Sequence, residues 1–268
     1  MLYELVLVQR EGAPAAVRDH TAISAGDEVV VQSRATQRSL EVAARAEGFR
    51  LPELSVIPPP VPDLPRPSAD QIQRARAELG IEPGQTLVLY PGDLEVSSGA
   101  KATEALVGPL CARLPGAVVV FAYRNKTPGA AEQAVSLRAR LAGKSVRISD
   151  RVSSMHALLC ASQVVIFPVD DLWGKVDQPI VLLEALAFGA PCVVLAHGAL
   201  QEIEGAVQVP TTDAGAWLEA ILPLIENAET RARVVGAGRE ASVRVYASGV
   251  VARAYEAIYL RALKRRPE

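Results

Sequence analysis

One carboxylate stands alone in an apolar helix. From Ile180 to Phe188 the chain reads Ile-Val-Leu-Leu-Glu-Ala-Leu-Ala-Phe, and Glu184 is its single charge. A carboxylate among hydrocarbon side chains must be satisfied by something. It either turns to water, as Glu commonly does, or accepts hydrogen bonds from the hydroxyls of a ligand. Just ahead of it, Asp170, Asp171, Lys175 and Asp177 surround the Trp173-Gly174 step. Such a loop suits acid–base work, a divalent cation, or simply the polar cover of a sheet edge. Arg124 and Lys126 are paired cations, either solvated or directed at phosphate oxygens. The stretch 91–99, with Gly92, Ser97, Ser98 and Gly99, opens a helix whose backbone amides suit an anion, or it is a plain turn. It lacks the Gly-x₄-Gly-Lys-Ser/Thr spacing of a P-loop. His20, His156 and His197 are far apart in sequence, so neither a metal cluster nor a His-based dyad is visible, and no nucleophile stands beside a base. The chemistry open to this set is positioning and charge stabilisation rather than a side-chain relay.

Groups this scattered need a frame that collects loops at one edge. Residues 164–167 form a short β-branched run, as in a strand buried on both faces. Pro179 fits the first turn of a helix over 180–188 that stops at Gly189, and a second apolar run covers 192–195. That is one strand–loop–helix–strand unit of a parallel sheet. The same alternation predicts strands at 86–90, 117–122, 145–148 and 206–209, with helices between them and a terminal helix at 250–264. Tyr255 and Tyr259 are spaced for packing on that last helix. The fold class is α/β: a Rossmann-like parallel sheet with helices on both faces, whose ligands bind off the carboxyl ends of the strands. Upstream, a strand at 27–33, a helix at 34–47 and a strand at 54–57 precede a run with six prolines between 58 and 67, which favours a stiff extended connector. The expected division is 1–60 as a small N-terminal unit, 61–67 as linker and 68–268 as the main domain.

Composition narrows the partners. Twenty-eight basic against 30 acidic residues give no reason to expect nucleic acid. Cys111, Cys160 and Cys192 lie in apolar segments without paired or metal-ligand spacing, so buried reduced thiols and a cytoplasmic setting are expected. The apolar run in the first dozen residues is too short for a signal peptide and no cationic leader precedes it, and no apolar run approaches a membrane span.

Four stretches carry a family likeness: Val-Ile-Pro-Pro-Pro-Val-Pro-Asp at 56–63, Leu-Tyr-Pro-Gly-Asp-Leu at 89–94, Leu-Leu-Glu-Ala-Leu-Ala-Phe-Gly-Ala-Pro-Cys-Val-Val at 182–194, and Gln-Glu-Ile at 201–203. In this order they resemble the nucleotide-sugar-binding lobe of group 1 glycosyltransferases, retaining enzymes with two Rossmann-like lobes in the GT-B architecture. The resemblance runs from about residue 27 to the terminal helix, and residues 1–60 then correspond to a remnant of the N-terminal, acceptor lobe.

The resemblance implies roles. Glu184 matches the second Glu of the Glu-x₇-Glu motif, which holds the donor's ribose; its partner falls on Val176, so Asp177 or Lys175 stands in. The amides of Ile180 and Val181 match those facing donor phosphate and sugar, Gly92 lies in the first phosphate loop, and the Val152 loop lies beside the base. Family members carry Arg and Lys in that first loop where this chain has Asp93 and Ser98, and Arg124 with Lys126 would replace them. The expected activity is a hexosyl-type transfer with retention from a UDP- or GDP-sugar, the donor being a substrate, with no metal or other cofactor. A protein partner would supply the missing acceptor lobe, and peripheral membrane contact is compatible. The competing reading is a non-catalytic nucleotide-sugar-binding or protein-interaction module derived from the same fold. A dehydrogenase is disfavoured because no Gly-x-Gly-x-x-Gly follows the first strands.

Overall fold

The computed structural model describes residues 2–4, 28–125, 127–172 and 176–264. In chain order the elements are β1 (Leu2–Glu4), β2 (Glu28–Val31), α1 (Arg34–Glu47), β3 (Glu53–Val56), α2 (Ala69–Glu78), β4 (Thr86–Tyr90), α3 (Gly99–Arg113), β5 (Ala117–Ala122), α4 (Pro128–Arg140), β6 (Val146–Ser149), α5 (Met155–Ala161), β7 (Val164–Phe167), α6 (Ile180–Phe188), β8 (Cys192–Leu195), a 3₁₀ turn (Gly198–Glu202), β9 (Val207–Val209), α7 (Ala214–Glu226), α8 (Ala228–Arg244) and α9 (Ser248–Lys264). The boundaries follow local chemistry. Ser68 and Gln71 make a reciprocal capping box at the start of α2, and α6 ends where Gly189 takes the left-handed conformation at φ 81°.

Six parallel strands form the main sheet in the order β6-β5-β4-β7-β8-β9. The chain runs outward from β4 to β6, then returns to pair β7 with β4 and runs outward the other way. The reversal point therefore lies between β4 and β7, where a doubly wound sheet opens a crevice at its carboxyl edge. Beneath it the Tyr90 ring stacks on Phe167 at 6.2 Å and meets Phe121 edge-on at 5.7 Å, all three being buried. The Tyr90 hydroxyl donates to the Asp93 carbonyl at 2.8 Å, which pulls the following loop down onto the ring. That descent explains two glycines. A Cβ on Gly92 would enter the Tyr90 ring, and one on Gly99 would lie 2.6 Å from Val169 Cγ2.

The remaining strands form a smaller parallel sheet, β1-β2-β3. One face packs through Val29 and Val31 on Leu40 of α1, and the other packs through Val30 and Ile57 on Val251 and Ile258 of α9. Arg261 adds a 2.5 Å ion pair to the buried Glu28. The terminal helix thus belongs structurally with the N-terminal strands as much as with the main sheet. Between the sheets the proline-rich stretch runs extended, Val61 bonding the Tyr246 carbonyl through its amide at 2.7 Å.

Three expectations need adjustment. Tyr259 is half exposed, because the face of α9 that packs is set by residues 251, 254, 255 and 258 and turns position 259 outward. Of the three free cysteines only Cys192 is buried; Cys111 and Cys160 are partly exposed. The strands expected at 145–148 and 206–209 are shifted or trimmed by one residue. Among the described residues no helix is long and apolar enough to cross a membrane.

Candidate functional site

The sheet's carboxyl edge and the start of α1 face each other across a cleft of about 370 Å³, lined by Ala35 and Thr36 on one side and by Val169, Asp170, Asp177 and His197 on the other. Two acidic side chains cross it. Both Ser33 Oγ and Thr36 Oγ1 donate to Asp177 Oδ2, at 2.6 and 2.5 Å. The backbone amides of Arg34 and Ala35 donate to the two oxygens of Glu202, each at 2.8 Å. Together they satisfy the first-turn amides and hydroxyls of α1, whose N-terminal dipole favours negative charge.

The same arrangement recurs at neighbouring helix starts. Asp170 Oδ1 accepts from the Ser98 amide at 3.1 Å, where α3 begins. Desolvation opposes its charge, but the Ser98 hydrogen bonds and His197 hold the Asp170 carboxyl below the ordinary carboxylate range. Glu95 accepts a hydrogen bond from the hydroxyl of Thr127, which occupies the N-cap position of α4 without its side chain capping an amide. α5 is capped by the Ser154 hydroxyl, which accepts from Ala157 at 3.1 Å. α6 differs. Its N-cap is Pro179, and among the described residues no side chain caps the amides of Ile180 and Val181. The start of α4 likewise has no side-chain cap.

The sequence-predicted residues divide accordingly. Glu184 lies in the second turn of α6 with its side chain 15% exposed, and its Oε1 faces His156 Nε2 at 3.3 Å. His156 belongs to α5, which follows directly on the loop carrying Val152, so the structure brings Val152, Glu184, Ile180 and Val181 to adjoining helix starts. Gly92 sits over the Tyr90 ring. Arg124 is exposed at the end of β5. Asp177 is buried and faces α1. Lys126 and Lys175 lie outside the described residues. Two participants escaped the sequence reading: Glu202, whose partners are 168 and 167 residues away in the chain, and His156, which nothing nearby in sequence marks. Among the described residues no group of three His, Cys, Asp or Glu side chains is arranged to hold a metal ion.

Burial raises the Asp177 carboxyl above the ordinary range; the Ser33 and Thr36 hydroxyls oppose this and Glu202 adds to it. A carboxyl whose folded value is raised contributes most below its unfolded value, about 3.9, and that contribution is lost as pH climbs through the folded value. Wild type is therefore expected to lose stability relative to Asp177→Asn as pH rises from about 4. Urea midpoints measured for both proteins at several pH values check this; parallel curves would refute it.

The profile of a family described as glycosyl transferases group 1 matches residues 87–227, more than half of the chain. No curated protein sequence matches. Among solved structures, Anabaena Alr3699/HepE in complex with UDP and glucose is 15% identical with a TM-score of 0.78, over 96% of this chain and 70% of that one. A glycosyltransferase from Rickettsia africae is 15% identical with a TM-score of 0.78, over 99% and 71%. Sucrose-phosphate synthase from Thermosynechococcus elongatus is 21% identical with a TM-score of 0.74, over 99% and 68%. At such identities the structural likeness speaks for the fold, which is the Rossmann-like lobe of GT-B proteins.

Proposed function

The chain belongs to the group 1 glycosyl transferases, and from that membership we propose that it binds a UDP- or GDP-sugar at the carboxyl edge of the six-stranded sheet and transfers the sugar, with retention, to an acceptor. The observation that carries this reading is the start of α6, whose amides no described side chain caps, standing at the carboxyl edge of the sheet in the same helix as the half-shielded Glu184. An external diphosphate is the missing acceptor there. A helix N-terminus favours such an anion by roughly 0.3 to 1 kcal/mol, more when partly buried.

In this reading the Glu184 carboxylate accepts from the ribose hydroxyls, and the amides of Ile180 and Val181 face the diphosphate. Gly92 lets backbone approach the phosphates, and the Val152 loop lies beside the base. Arg124 and Lys126 supply the positive charge that Asp93 and Ser98 do not, stabilising the departing diphosphate without a metal. Lys175 takes the place of the hexose-binding Glu, since Asp177 is held by the Ser33 and Thr36 hydroxyls. A solved relative in the comparison, Alr3699/HepE, was crystallised with UDP and glucose, which supports the donor class.

Binding without transfer is the second reading. It is favoured by Val176, which cannot bond a sugar, and by Asp93 and Ser98 at the cation positions. Among the described residues of 28–60, the large hydrophobic with marked exposure is Val42, at 58%, beside Ala43 and Ala46 in a groove along α1. A partner lobe would find little other apolar surface there.

A thermal-unfolding panel of UDP, GDP, ADP and their sugars tests the proposal. A ligand at a hundred times its dissociation constant adds about 2.7 kcal/mol, which at about 2–4 °C per kcal/mol is roughly 5–10 °C in a chain of this size. One nucleotide series is expected to produce that shift. A flat response to every nucleotide would overturn the donor reading.

A further inference from the structure

We propose that His156 is a positioning residue: it holds the Glu184 carboxylate in the orientation that reads a ribose, and so gives the site a preference for ribonucleotides over 2′-deoxyribonucleotides. This rests on the donor reading above and adds a substrate restriction to it. His156 stands in the first turn of α5 and Glu184 in the second turn of α6, on helices packed against one another. Nε2 lies 3.3 Å from Oε1. A carboxylate oxygen only accepts, so the ring nitrogen facing it is the donor. The imidazole packs on the ring of Phe188, a residue only 6% exposed, with the two centroids 5.2 Å apart.

The consequence follows from the flexibility of the Glu side chain. Unrestrained, three rotatable bonds spread its carboxylate over many positions, and ordering it must be paid by the ligand. Here the ring fixes one oxygen. Among the described residues Oε2 has no hydrogen-bond partner, which leaves it for a hydroxyl. A ribose presents vicinal 2′ and 3′ hydroxyls, both donors; a 2′-deoxyribose presents one. A held carboxylate distinguishes the two, because the lost hydrogen bond is to a charged acceptor, and such bonds correspond to roughly 10- to 100-fold in affinity. A wandering carboxylate makes the second bond only part of the time.

Affinities of UDP and 2′-deoxy-UDP, with the GDP pair alongside, measured calorimetrically on full-length protein give the test. Wild type is expected to prefer the ribonucleotide about tenfold or more. His156→Leu keeps the bulk against Phe188 but has no donor; it is expected to bring the ratio to about twofold, by weakening the ribonucleotide, with its two hydroxyl bonds, more than the 2′-deoxy form with its one. His156→Gln keeps an N–H within reach of Glu184 and should restore most of the preference. A ratio in His156→Leu equal to that of wild type overturns the inference while leaving the donor site standing. Folded wild type that binds neither nucleotide overturns the donor reading itself and this inference with it.

Discussion

Glu184→Ala is expected to weaken nucleoside diphosphate binding by roughly 10- to 100-fold while moving the unfolding midpoint of the free protein by no more than about 3 °C. The asymmetry comes from where the side chain sits. Its bond among the described residues, to His156, joins a carboxylate that is 15% exposed to a ring that is 36% exposed, and partly solvated pairs contribute at most about 1 kcal/mol. The bonds it would make to a ribose form only in the complex and are charge-assisted. Calorimetric titration of whichever nucleotide stabilises wild type gives the first quantity, and a melt without ligand gives the second. Unchanged affinity would remove Glu184 from the site. An equal loss of fold and binding would make it a structural residue.

The second large effect concerns the cleft itself. Glu202→Ala is expected to destabilise the protein by about 1 to 2 kcal/mol, because it removes charge-assisted bonds to the exposed amide of Arg34 and the part-buried amide of Ala35. Part of that is the helix dipole, worth up to about 2 kcal/mol in partly buried geometry. The exposed contact to Arg38, at 3.6 Å, adds little. Glu202→Gln should recover part of the loss, since its one amide oxygen still accepts. Chemical denaturation measures both. Proteolysis should in addition cut the Glu202→Ala protein earlier near residues 33–36, because these bonds hold the start of α1 against the main sheet. A destabilisation below about 0.5 kcal/mol would show that Asp177, with its two hydroxyl donors, holds the cleft alone.

The strands and most helix limits were legible because their causes are local. Val164–Phe167 and Ala117–Ala122 are continuous apolar runs, which a strand covered on both faces requires. Gly189 and Ser68 mark helix ends by backbone freedom and by a side-chain acceptor, each readable over four residues. The family likeness was legible for the same reason, its most specific block, Glu-Ala-Leu-Ala-x-Gly-x-Pro at 184–191, being one uninterrupted stretch. Site roles were legible only as types of residue. Asp177 reads as a sugar-facing or acid–base carboxylate beside Lys175, yet its partners Ser33 and Thr36 lie 144 and 141 residues away in the chain.

By itself, then, the order of amino acids determined the alternation of strands and helices and the family. Tertiary structure alone decided which carboxylates were already spent. Asp170, Glu95, Asp177 and Glu202 each meet a helix start or the residues beside it, whereas Glu184 meets a histidine and the amides at the head of its helix go uncapped. The physical reason is that helix propensity and hydrophobic periodicity act over a few neighbouring residues, while the satisfaction of a buried charge depends on whatever the folded chain brings within 3 Å of it.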